Sequence, residues 1–140
     1  MIKNELQYKK TRMIAVEVEI ALSQLSGSEE FQALDAIAQR AYTASLKRQL
    51  SQLNQELSEY ESLKGGDFDF GKLPEIDEIP KWLIQARIAR GLAQEDLAKL
   101  LNLKKQQIQS YEASDYASAS LSRIMEIARM LHSEPDSAVS

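Results

Sequence analysis

The chain has 140 residues, 44% of them apolar, a formal net charge of −4 and no cysteine. Its length fits one ordinary domain or two small ones. The lack of cysteine excludes disulfides and thiolate zinc sites and suits a reducing, cytoplasmic setting, and no apolar run approaches the roughly 20 residues of a membrane span.

Residues 5–25 read as a helix, with apolar Ile14, Val18, Leu22 and Leu25 spaced by four, four and three. Met1-Ile2-Lys3-Asn4-Glu5 before them does not open a signal peptide, because an acid comes early and no apolar core follows. Ser26-Gly27-Ser28 breaks the helix, and Ser28 can cap a second one at Glu29-Glu30. From there to Lys64 no proline or glycine interrupts, which predicts one continuous helix on the order of 50 Å long. Its second half carries Leu46, Leu50, Leu53, Leu57 and Tyr60 in a four-three-four-three spacing, a coiled-coil seam. A first helix of about 20 residues cannot cover so long an element. Residues 1–64 are therefore expected to form a helical hairpin whose seam is a homodimer interface.

Gly65-Gly66 ends the long helix, and residues 65–77 form a connector whose Phe68 and Phe70 are expected to plug onto a helix. The next segment, 78–132, opens with Pro80 inside a first turn. Trp82, Leu83, Ala86, Ile88 and Ala89 give its first helix an apolar face. The last helix, from about Ser120 to Leu131, turns Leu121, Ile124, Ile127, Ala128 and Leu131 inward, and residues 133–140 read as a flexible tail. Nothing alternates with period two, so the class is all-α.

Between these helices, residues 91–112 hold two short apolar-patterned helices around a tight break at Asn102. Leu97, Ala98, Leu100 and Leu101 mark the first helix, and Ile108 and Tyr111 the inner face of the second. At 100° per residue Lys105, Gln106, Gln109 and Ser110 share one outward arc without an acidic side chain. Such an arc is a solvated polar face by default. After a tight turn, its amides and ammonium group suit adenine and guanine edges in the DNA major groove. Charge divides in the same direction: residues 80–132 hold eight Lys/Arg against five Asp/Glu, and the rest hold nine against sixteen.

The pattern resembles the Cro/cI-type helix-turn-helix family, often called XRE. Arg87, Gly91, Gln94, Leu97, Ala98, Leu101, Leu103, Gln106, Ile108, Tyr111 and Glu112 carry the match, over roughly residues 78–132. The resemblance implies that double-stranded DNA is the partner and that Lys105, Gln106, Gln109 and Ser110 read bases. It further implies phosphate contacts from Gln94, with Lys104 and Gln107 beside it, and a partly buried ion pair between Arg87 and Glu112. Four features depart from the family pattern. Ala93 and Lys104 stand where capping residues are usual, each at a cost of about 1 kcal/mol, and Asn102 takes a glycine position. The loop Ala113-Ser114-Asp115-Tyr116-Ala117 is not basic, and too little sequence remains for a fifth helix, whose role is expected to pass to the connector or the N-terminal part.

Other constellations carry no chemistry. Asp67, Asp69, Glu75 and Glu78 imitate a calcium loop that fails at Gly71 and Lys72. His132 is the only histidine, which supports neither a triad nor a transition-metal site. No metal, cofactor or catalytic residue is expected, and the chain is not expected to be an enzyme. The sequence favours a dimeric, sequence-specific transcriptional regulator on an inverted-repeat operator. Two rivals are an antitoxin-like DNA-binding protein whose acidic hairpin neutralises a toxin, and a coactivator-like adaptor that binds another protein.

Overall fold

The computed structural model describes residues 1–133. All regular structure among them is helical: α1 (Glu5–Gln24), α2 (Glu29–Gln32), α3 (Ala36–Lys64), α4 (Ile79–Ala89), α5 (Gln94–Leu100), α6 (Lys105–Ala113) and α7 (Leu121–His132). The tail from residue 134 lies outside the described residues. The chain divides into two compact units, Met1–Tyr60 and a second from Glu61 onward.

In the first unit α1 starts where Asn4 Oδ1 accepts the Gln7 N–H at 2.9 Å, with Glu5 in the first turn. Ser28 caps α2 as its position suggested, accepting the Phe31 N–H. The expected continuous helix from residue 29 is instead broken at residues 33–35. Asp35 is the cause: its side chain accepts the Ala38 N–H at 2.7 Å and starts α3 afresh. Proline and glycine are not needed to end a helix when an aspartate can cap the next one.

The seam of α3 is covered in part within the hairpin. Leu57 and Tyr60 are buried within the single chain, and Leu46, Leu50 and Leu53 are half-buried. Tyr60 stacks on Tyr8 of α1 at 5.1 Å and its hydroxyl bonds Glu5 Oε1 at 3.1 Å, so the hairpin is antiparallel. Ala15 and Val18 are buried on α1, between half-buried Tyr8, Thr11, Leu22 and Leu25. That series steps by three and four residues, the complement of the α3 seam, so α1 is long enough to cover it. Ile14, expected inside, is exposed.

The second unit begins with the end of α3. Gly66 takes a φ of +85° and donates to Leu63 O at 2.8 Å, the left-handed stop that glycine adopts without strain. The connector then packs on this unit: Phe68 lies edge-on to Phe70 and against Trp82 of α4, while Arg90 sits 3.6 Å over the Phe70 ring. The same guanidinium donates to the Leu131 and His132 carbonyls at 2.9 and 2.8 Å, closing the C-terminal end of α7. Connector and Arg90 thus pack against α4 and the end of α7. Leu83, Ile84, Ile88, Leu97, Ile108, Ile127 and Leu131 form the core of this unit. Leu121, expected inside, is exposed at the first turn of α7, while Ile127 and Leu131 hold the helix down.

Candidate nucleic-acid interface

Helices α5 and α6 pack on each other across the four residues 101–104. Asn102 there has a φ of +56°, so it supplies the left-handed residue in the glycine position. The Leu103 N–H returns to Ala98 O at 2.8 Å and fixes the exit of the turn. The two missing caps are made from the other side. Asp96 Oδ2 accepts the Ala93 N–H at 2.8 Å, and Gln107 Oε1 accepts the Lys104 N–H at 3.0 Å. Each is the reciprocal half of a capping box, contributed by the third helical residue.

On α6, Ile108 and Glu112 are buried and Tyr111 is half-buried, while Lys104, Lys105, Gln106, Gln107, Gln109 and Ser110 are exposed. The six expected contact residues in and just before this helix are thus all exposed. Their platform is held by a buried ion pair. Arg87 Nε donates to Glu112 Oε2 at 2.7 Å and Nη2 to Oε1 at 3.0 Å, a two-pronged contact with both side chains almost wholly enclosed. Arg87 Nη1 also donates to the Leu92 carbonyl at 2.8 Å, so α4, the turn before α5 and the end of α6 share one network.

Gln94, expected at a phosphate, belongs to that network in the structure. It is only 6% exposed, and its Nε2 donates to Glu112 Oε1 at 2.9 Å. Its amide hydrogen-bonds a buried carboxylate that already pairs with Arg87. Burial of Glu112 makes this the favourable use, since an unsatisfied charged oxygen in the interior is costly.

The loop after Glu112 is ordered by its own bonds rather than by basic side chains. Ser114 Oγ lies 2.9 Å from Ser118 Oγ, and the Tyr116 N–H donates to Tyr111 O at 2.6 Å. Asp115 and Tyr116 are both left-handed, at φ +51° and +63°. Two such residues in a row cost on the order of 1–2 kcal/mol each. Tyr116 offsets this by burying its ring against Tyr111, 5.8 Å away. Burial pushes its phenol pKa well above the usual 10, and the nearby Glu112 carboxylate adds to the rise against the opposing Arg87 charge. Sequence reasoning missed Tyr116, Asp96 and Arg90. A single aromatic in a polar loop was the one available signal for the first.

Residues 83–137 match the helix-turn-helix family. The C-terminal part of this chain is a helix-turn-helix domain of the Cro/cI type. The match covers under half of the chain and leaves the hairpin unassigned. No curated protein and no solved structure is significantly similar to the chain. The helix-turn-helix type is a DNA-binding one. In this helix-turn-helix, α5 and α6 are the paired helices and α4 and α7 their support. No helix among the described residues is long and apolar enough to cross a membrane.

Proposed function

We propose that the chain is a sequence-specific transcriptional regulator that reads duplex DNA with α6. The observation that carries this reading is the exposed, acid-free arc of Lys105, Gln106, Gln109 and Ser110, on a helix anchored from behind by the Arg87–Glu112 pair. Glutamine amides present a donor and an acceptor together, matching adenine N7 and N6, and lysine matches guanine O6 and N7. Lys104 and Gln107 at the helix start take the backbone. Gln107 has its carbonyl oxygen engaged with the Lys104 N–H, which leaves its NH2 as a phosphate donor. Rigid presentation favours affinity, because less order has to be imposed on binding.

The second half of the reading is a homodimer, in which two copies of α6 engage an inverted repeat with half-sites about 10 bp, or a multiple, apart. Selection from a random duplex library would define the site. Gln106→Ala should then lose about 1–3 kcal/mol of discrimination at one base pair, and Lys104→Ala should weaken all sequences alike. Full retention of the preference by the Gln106 variant would remove α6 as the reading element.

A further inference from the structure

Helix α1 carries two apolar faces and the hairpin covers one. Ala15 and Val18 are turned inward. About 180° round the helix, Leu6, Met13, Val16 and Ile20 are 62%, 63%, 52% and 49% exposed. They recur at steps of seven, three and four, the spacing of a coiled-coil seam in which Lys9 takes the position between Leu6 and Met13. A helix that is apolar on opposite sides belongs in an interior with partners on both. Lys9, Arg12, Met13, Val16 and Glu17 also line a shallow groove along this face.

Charge identifies the occupant. On one flank of the outer face lies Lys10, with Glu17 seven residues further on. On the other lies Arg12, with Glu19 seven residues further on. The first half of the face is basic and the second half acidic on both flanks. Two copies of this helix laid antiparallel about a two-fold axis match each base to an acid: Lys10 to Glu17 and Arg12 to Glu19, each twice. Met13 and Val16 then fall at the centre, and Leu6 meets the turn that carries Ile20. The face is complementary to itself.

We infer that the outer face of α1 (Leu6, Met13, Val16 and Ile20, flanked by Lys10, Arg12, Glu17 and Glu19) is the self-association surface, pairing antiparallel with a second copy of the chain. This rests on the dimeric half of the reading above and relocates its interface from α3 to α1. The strip is about 21 Å long, too small for the roughly 800 Å² per partner of a tight interface. The dimer is therefore expected to be concentration-dependent, with a Kd on the order of micromolar.

Sedimentation of the full chain without DNA, across about 1–100 micromolar, reads this directly. The wild type should pass from monomer to dimer. Val16→Glu and Met13→Glu should stay monomeric while melting like the wild type at concentrations where the wild type is a monomer, since both positions are exposed. Reversing one half of the pattern, with Lys10→Glu and Arg12→Glu together, should raise the Kd by roughly tenfold or more. Adding Glu17→Lys and Glu19→Lys should bring it back to within about threefold of the wild type. A wild type that stays monomeric at the top concentration overturns the proposal and leaves the face to a different protein. A dimer that survives Val16→Glu, or four reversals that fail to restore pairing, overturns it as well. None of these outcomes touches base reading, which the duplex selection tests separately.

Discussion

Every one of the largest fully buried side chains lies in the C-terminal unit: Leu83, Ile84, Ile88, Leu97, Ile108, Ile127, Leu131 and Glu112. The hairpin has no such residue among those described. Its best-covered side chains on the facing helices are Ala15, Val18, Leu57 and Tyr60, and its seam leucines at 46, 50 and 53 are half-buried. The difference follows from layers. Four short helices enclose a volume in which a side chain can be surrounded, while two helices meet along a line and leave both outer sides wet. The C-terminal unit can afford a charged pair in its interior because the enclosure also holds the hydrogen bonds that pair needs. The hairpin keeps its charges outside and has apolar surface left over.

The largest effect that would break this comparison lies in the buried network. Arg87→Ala or Glu112→Ala should each cost about 3–5 kcal/mol, because each leaves an uncompensated charge inside. The double change should cost less than the sum, and Gln94→Ala about 1.5–3 kcal/mol through its bond to the same carboxylate. Denaturant unfolding of the single and double variants measures this. Additive losses would mean the contacts at 2.7 and 3.0 Å carry no coupling.

Apolar truncation sharpens the contrast next. Leu83→Ala, in a fully enclosed site, should cost about 2–5 kcal/mol, and half-buried Leu50→Ala about half as much. Equal costs by thermal melting would show that the hairpin core is as closed as the other. At high protein concentration the comparison also tests the α1 face, since dimerisation makes the hairpin's apparent stability depend on concentration.

The smallest expected effect is at Tyr116. Its hydroxyl is buried and has no hydrogen-bond partner among the described residues, so Tyr116→Phe should be neutral or stabilise by about 1 kcal/mol at pH 7. The phenol is held protonated in the folded state, with its pKa above the unfolded value. Its contribution is complete below about pH 10 and is lost as pH rises from there towards the folded value. Wild type should therefore lose stability above pH 10 more steeply than the phenylalanine variant. Parallel alkaline profiles for the two would remove Tyr116 from the account.

Much of the C-terminal site was legible because it is local. Ile108 and Tyr111 set the inner side of α6, and a period of 3.6 residues then puts Lys105, Gln106, Gln109 and Ser110 outside whatever surrounds the helix. The Arg87–Glu112 pair, 25 residues apart, came only from the family resemblance, since no local rule joins them. The bond of Gln94 was hidden for the same reason: that its amide turns in to Glu112 depends on a carboxylate 18 residues away.

Sequence alone determined that the chain is helical, where glycines stop it, and that its last part carries a helix-turn-helix, because caps, turns and periodicity act within a few residues. Only the tertiary structure decided which face of each helix meets which partner. An apolar stripe states that something must cover it but not what. The Leu57 and Tyr60 end of the α3 seam was covered within the hairpin, facing an α1 stripe that steps by three and four, and the helix break at Asp35 shortened the element that needed covering. Pairing of that kind is a property of two segments at once, and neither segment states it alone.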